Sequence, residues 1–542
     1  MRGLARHWGA LLLLAAAAPL MVAFTWQHGI ASMSDDSVSY LVLARWMDGT
    51  AGTLVTPWLP WHRHFAPLFP LALAATGGAQ DLARANLVVA LFAVAAIAAV
   101  YRFVFAVTLR RDAAFAVTLL FMLTPTAWLS AKGILSEAMY LFVSMEALRL
   151  HAVRIRGRGA ATRDVLWIGI MLGIAYLTRT AAVALLAAYF AHVLVRWRRD
   201  HDARPWLAFV PAVLMALAWI AVRPHGEADV YAHTAAEVAR AWATHASLLG
   251  AQAVQLVFGG WVSSFTGVST FTGDAPVPLA ARCALGFVGL LALGGALLRA
   301  RENALDGWYV LATLALLFAW IFDEENMRRL LYPIVPLMLM HAGMGLVALS
   351  RRLGQGRHAR LAATIAAVFV AALSVPAVLG IASKARDTAP LLEGHSRSAA
   401  DMTEYFRIAN TPYARAMAAK HAASLTAFES LARLTPPGAR VMYVRPEYVA
   451  VLGAREGAEL DYAWDARALA TAVRDRGAGF ILATSLAKTD LAHERGDAMA
   501  SVRLAEPYTR RALVLSNAKG QDEVVLLEVD RDALTRFLGE RG

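Results

Sequence analysis

Seven ionisable residues stand where an otherwise apolar chain has least reason to keep them. Asp35 and Asp36 follow the first apolar block directly, in Ser-Met-Ser-Asp-Asp-Ser-Val-Ser-Tyr. Lys132 and Glu137 flank the start of another block, in Ala-Lys-Gly-Ile-Leu-Ser-Glu-Ala. Arg179 separates two blocks in Tyr-Leu-Thr-Arg-Thr, and Arg328 with Arg329 opens a further one in Asn-Met-Arg-Arg-Leu-Leu-Tyr-Pro. A charge at the edge of hydrocarbon is expensive, so it faces a cavity, a partner or the interface. A carboxylate held there can serve as a general base or a metal ligand. An arginine held there suits a phosphate, because its planar fork donates two parallel bonds. Each residue also has a plainer use. Asp35 and Asp36 can cap the positive end of a helix. Lys132 can sit at the interface while Glu137 starts a helix, and Arg179 can snorkel toward water. Asp323, Glu324 and Glu325 can charge the first turn of the helix that carries Arg328 and Arg329. His62 and His64, in Trp-His-Arg-His, have metal-ligating side chains, but two histidines alone make a weak site. There is no phosphate-cradling glycine loop and no Cys/His zinc pattern.

The elements that must position these residues are membrane helices. Of 542 residues 58% are hydrophobic, and the mean hydropathy is +0.49. An ordinary globular chain is roughly 45–50% apolar. The apolar residues cluster in blocks near the length of about 20 residues that crosses a bilayer. About eleven blocks are read as spans, at 9–26, 83–109, 113–129, 134–150, 165–177, 180–196, 205–222, 281–298, 308–322, 330–349 and 361–382. The opening, with Arg2 and Arg6 before an apolar run, resembles a signal peptide; the spans that follow favour an uncleaved anchor. The net charge of +12 does not point to nucleic acid, because most arginines lie in short loops between apolar blocks. Those loops alternate, which by the positive-inside rule makes them and the N-terminus cytoplasmic. An odd number of spans then puts the tail outside, together with the long loops 27–82 and 223–280. Val38, Leu41, Val42 and Trp46 have helical spacing and predict a short amphipathic helix at the interface. Residues 1–382 are thus read as a transmembrane module and 383–542 as a small extracytoplasmic α/β domain. In that domain a helical stretch over 398–434 precedes strands at 440–444, 479–483, 512–515 and 523–529, with helices at 467–476 and 530–538. The lone Cys283 excludes an internal disulfide, and there is no internal repeat of the kind many transporters carry.

Taken in order, several short motifs resemble the membrane-embedded GT-C glycosyltransferases, in particular the bacterial branch similar to protein O-mannosyltransferases and aminoarabinose transferases. They are Asp35-Asp36 after the first span, Tyr40 and Ala44-Arg45 in the next helix, Phe65-Ala66-Pro67-Leu68-Phe69-Pro70, Arg84, Ser136-Glu137, Leu177-Thr178-Arg179 and Arg329-Leu330-Leu331-Tyr332-Pro333. The acidic pair is Asp-Asp where Asp-Glu is common in that family, and Phe-Ala-Pro stands where many relatives have Lys-Pro-Pro. The resemblance implies a polyprenyl-phosphate sugar donor held in the membrane. It also implies transfer to an envelope lipid, glycan or protein on the extracytoplasmic face. Asp35, with Asp36 as second choice, would be the base, Arg179, Arg328 and Arg329 would hold the lipid phosphate with Lys132, and Glu137 would orient or share the acceptor. No cofactor follows, and a divalent metal stays open. The rival readings are a transporter or flippase of lipid-linked sugars and a non-catalytic envelope scaffold.

Overall fold

The computed structural model describes residues 8–27, 35–131, 133–155, 161–224, 230–267, 277–320, 324–353, 359–388, 423–424, 426–460, 465–484, 499–516 and 520–539. The membrane module is built of helices α1 (Trp8–Gln27), α2 (Asp35–Met47), α3 (Leu68–Ala75), α4 (Leu82–Thr108), α5 (Arg111–Met122), α6 (Pro125–Leu129), α7 (Glu137–Arg154) and α8 (Thr162–Thr178). It continues with α9 (Val183–Asp200), α10 (Phe209–Val222), α11 (Val230–Thr266), α12 (Leu279–Arg301), α13 (Leu305–Ala319), α14 (Glu324–Leu331), α15 (Val335–Arg352) and α16 (Ala359–Thr388).

Every apolar block of the sequence is helical, but the blocks do not map one to one onto spans. Among the described residues six helical stretches are long and apolar enough to cross a membrane: Leu82–Thr108, Thr180–Asp200, Arg204–Val222, Ala235–Thr266, Leu279–Arg301 and Asn326–Arg352. Two findings differ from the sequence expectation. The block 113–129 is two helices, α5 and α6, because Pro125 has no amide hydrogen to continue the first and instead starts the second. The segment 223–280, expected as a loop, is largely α11, interrupted by non-helical backbone at His245. The count of eleven spans therefore does not follow from the structure.

Helix termini show why the chain turns where it does. Asp81 caps α4 by accepting the amide hydrogens of Ala83 and Arg84 at 2.9 and 3.2 Å. Arg179 has extended backbone between α8 and the turn Thr180–Ala182. Pro333 and Pro336 stand in the first turns of the 3-10 segment Tyr332–Ile334 and of α15, so the path from α14 tightens there within one helical stretch. The helix expected around Val38 is α2, whose Val38, Leu41 and Val42 are buried within the protein.

The C-terminal domain is a five-stranded mixed sheet in the order β2-β1-β3-β5-β4, from β1 (Arg440–Tyr443), β2 (Glu456–Glu459), β3 (Phe480–Thr484), β4 (Thr509–Ser516) and β5 (Asp522–Val529). Strands β2, β1 and β3 run parallel, while β5 is antiparallel to β3 and β4. Period-two alternation gives the sheet two buried faces. Met442, Ile481, Ala483, Val525 and Leu527 pack on Leu469, Val473 and Leu534 of the helices Ala466–Asp475 and Arg531–Leu538. Val441, Tyr443, Phe480, Leu482, Val524 and Leu526 face the other way and join the core of the membrane module through Phe428, Leu431 and Tyr448. Residues 426–434 are helical, and the earlier part of the expected 398–434 helix lies outside the described residues apart from 423–424. The domain is tied to the helix that carries the acidic pair. Arg45 near the end of α2 donates to the Val451 carbonyl at 2.9 Å and to the Ala79 carbonyl at 3.0 Å.

Candidate functional site

Four of the seven singled-out residues meet in one ion-pair network, and each comes from a helix end. Asp36 is in the first turn of α2 and Glu137 is the first residue of α7. Arg179 is the C-cap of α8, and Arg329 is in the last turn of α14. Both carboxylates sit at positive helix ends and Arg179 at a negative one, where the macrodipole favours the charge; Arg329, near the start of the helical stretch Asn326–Arg352, is held by the two carboxylates instead.

Arg329 is the hub. Its Nη2 donates to Asp36 Oδ2 at 2.8 Å and to Glu137 Oε1 at 2.6 Å, and its Nε donates to the same Glu137 oxygen at 2.9 Å. Its Nη1 reaches Asn326 Oδ1 at 3.4 Å. Arg179 Nη1 lies 3.0 Å from Glu137 Oε1 and donates to Ser136 Oγ at 3.3 Å. One oxygen of Glu137 therefore meets three nitrogens, while its Oε2 is buried without a hydrogen-bond partner. The two carboxylates differ in exposure: the Glu137 side chain is 0% exposed, that of Asp36 34%. Burial alone would raise the Asp36 carboxyl, but the Arg329 guanidinium outweighs it and holds the group below the ordinary carboxylate value, with smaller help from Arg179 and His64.

Ser136 and Tyr40 complete the wall, and neither had been given a role from sequence. The Tyr40 hydroxyl is 2.7 Å from Ser136 Oγ, and its ring lies edge-on to Phe65 and Phe69 at 5.1 and 5.0 Å. The available signal was spacing: Tyr40 is four residues after Asp36 and so shares its face of α2. Beneath the network, one turn into α7, the Tyr140 and Tyr309 hydroxyls pair at 2.9 Å.

The structure separates the remaining candidates. Arg328 is buried, at the point where the α14 backbone approaches Gly260 of α11. Of the two adjacent arginines it is Arg329 that makes the described ion pairs. The Asp35 side chain and Lys132 lie outside the described residues, as do Asp323 and the side chains of Glu324 and Glu325. Glu137, expected to orient or share an acceptor, is buried against the two guanidiniums, which are its direct partners. His62 and His64 do not form a metal cluster, and among the described residues no group of three or more His, Cys, Asp or Glu is placed to hold a metal ion.

No protein-family model matches the chain, and no curated protein matches it by sequence. Solved structures do match along nearly its whole length. The aminoarabinose transferase ArnT from Cupriavidus metallidurans, in a crystal structure bound to undecaprenyl phosphate, superposes with a TM-score of 0.53 at 12% identity, covering 95% of this chain and 97% of that one. An oligosaccharyltransferase from Archaeoglobus fulgidus, tethered to an acceptor peptide, gives 0.52 at 14% identity, covering 97% of this chain and 74% of that one. The archaeal oligosaccharyltransferase AglB from the same organism, in complex with an inhibitory peptide and a dolichol-phosphate, gives 0.50 at 13% identity over 96% and 74%. These neighbours are members of the GT-C superfamily, and the chain shares their multi-pass membrane fold.

Proposed function

We infer that the protein is a glycosyltransferase that takes a sugar from a polyprenyl-phosphate donor and passes it to an envelope acceptor. The observation that carries the reading is Arg329 clasping Asp36 and Glu137 together at a convergence of helix ends. Such a site has the parts the reaction needs. The acceptor hydroxyl attacks the anomeric carbon as the bond from that carbon to the phosphate oxygen breaks. The hydroxyl proton goes to a carboxylate, and the polyprenyl phosphate leaves with its new charge against cations. Asp36 is the base, since it is the described carboxylate with exposure to solvent; Asp35 is the alternative. Arg329 and Arg179 receive the phosphate, with Arg328 and Lys132 as further candidates. Glu137 keeps the two guanidiniums in place.

The pairing also suggests an order of events. While Arg329 holds Asp36, the carboxylate is ionised but a weak base. A donor phosphate competes for the same Nη2, and a carboxylate that loses its guanidinium in a buried setting becomes more basic. Donor binding would thus precede activation of Asp36. The alternating arginine-rich loops support a site on the extracytoplasmic face of the inner membrane, reached by the donor through its lipid. The neighbours bound to undecaprenyl phosphate or dolichol-phosphate support a lipid-phosphate donor by analogy of fold.

Purified protein in nanodiscs, given a polyprenyl-phosphate sugar and an envelope extract, should release free polyprenyl phosphate and label an acceptor. Movement of the intact donor across vesicle membranes with no release of polyprenyl phosphate would instead identify a flippase.

A further inference from the structure

We propose that the aromatic turn carrying Trp58, Trp61 and His62 is a subsite for a pyranose ring of the acceptor. The proposal rests on the transferase reading for the word acceptor, but not for the site. The three residues have i, i+3, i+4 spacing across the short helical turns Thr56–Trp58 and Leu59–His62, so they share one face. The indoles of Trp58 and Trp61 stand edge to face, 5.7 Å apart, and Trp61 is 44% exposed. His62 is only 5% exposed, yet its Nε2 has no hydrogen-bond partner, and neither has the buried Trp58 Nε1. Buried polar atoms are nearly always paired, so two unmet ring nitrogens within one turn of chain are where a ligand's polar edge would be taken up.

Their chemistry selects the ligand. Burial, followed by the charges of His64 and Arg445, lowers His62 to about 3, so its ring is neutral and has one donor and one acceptor nitrogen. Trp58 Nε1 can only donate. A hydroxyl both donates and accepts and satisfies either case; an anion satisfies only donors. An exposed indole beside such nitrogens suits a ring with an apolar C–H face and polar edges, which describes a pyranose. For Trp58, simple anchoring in lipid is disfavoured, because a belt tryptophan keeps its N–H in the wet interface and Trp58 Nε1 is buried.

Location agrees. His62 contacts Phe65 at 6.4 Å between ring centroids, Phe65 contacts Tyr40 at 5.1 Å, and Tyr40 bonds Ser136 beside Glu137. One aromatic ring separates the turn from the wall of the site. Arg445 belongs to the C-terminal domain, so the subsite lies at the seam between that domain and the membrane helices.

The test uses full-length protein in nanodiscs free of sugar detergents. Maltotriose and chitobiose represent free glycans and are followed by saturation-transfer NMR; a glucosyl lipid built into the disc represents the lipid-borne source and is followed by native mass spectrometry. Parent protein should bind at least one of the two sources. Trp61→Ala should weaken that binding about tenfold, and Trp61→Phe, which keeps a flat face, by about threefold or less. Trp58→Phe keeps an aromatic ring of smaller area and removes the N–H, and should fall between them. Polyprenyl phosphate binding should be unchanged in all three. Because no readout needs turnover, loss of the transferase reading would leave sugar binding visible, and loss of the subsite would leave phosphate binding visible. Absence of binding to all three sugars overturns the proposal. So does Trp61→Ala that binds like the parent, whether or not its membrane retention falls, and so does capture of an acceptor peptide at this turn in place of sugar.

Discussion

Replacing Glu137 with glutamine removes one charge from the centre of the network and almost nothing else. The side chain is fully enclosed, and its Oε1 meets Arg329 Nε, Arg329 Nη2 and Arg179 Nη1 at 2.9, 2.6 and 3.0 Å. Its Oε2 has no partner, so the amide nitrogen of glutamine can take that position without facing a donor. The change is therefore one of charge rather than shape. Removing one partner of a buried ion pair costs about 3–5 kcal/mol. Asp36 still holds one Arg329 nitrogen, which favours the lower end, about 3 kcal/mol or roughly a hundredfold in the unfolding equilibrium. Unfolding in mixed micelles measures this. The four groups sum to zero charge in the parent and to one positive charge in Glu137→Gln, so added polyprenyl phosphate should stabilise the variant more than the parent. A loss below about 1 kcal/mol would mean that the guanidiniums do not depend on this carboxylate, and the anchor role would be wrong.

Arg179→Lys keeps the charge but loses the fork, and should weaken polyprenyl phosphate binding about tenfold or more by equilibrium titration, whereas a merely snorkelling arginine would tolerate it. The exposed Arg198→Lys is the silent control. For pH, Asp36 is depressed by Arg329 against burial, so the ionised base persists until pH falls below the ordinary carboxylate range of about 4. In Arg329→Gln burial is opposed only by Arg179 and His64, and the acid limb of the residual kcat/KM should move up. For topology, a reporter active only outside the cytoplasm should work when fused after Gly542 and fail near Arg154.

The hydropathy pattern made most of the helices legible, because a run of apolar residues in lipid has few alternatives to a helix. It failed where the signal is mixed. Glu237, Arg240 and His245 interrupt α11, so a helix that meets the length and hydropathy of a span looks like a loop. Strand β2, Glu-Gly-Ala-Glu, carries no β-branched or aromatic residue to announce it, and its Gly457 is needed because a Cβ there would clash with the Pro446 carbonyl. The site was legible as charges out of place, but its wiring was not. Arg328 and Arg329 are identical neighbours, and helix geometry alone turns one into the network while the other is buried near Gly260. That Glu137 pairs with two arginines depends on residues 42 and 192 positions away, which no local pattern reports.

The most direct measurement is sugar transfer by Asp36→Asn, with donor affinity determined separately. Asparagine keeps the size and a hydrogen-bonding oxygen but cannot take the acceptor proton. If Asp36 is the base, kcat should fall by about 10² or more while polyprenyl-phosphate sugar binds within a few-fold of the parent. Near-normal kcat, or a loss confined to donor affinity, would contradict the assignment of Asp36 as the base.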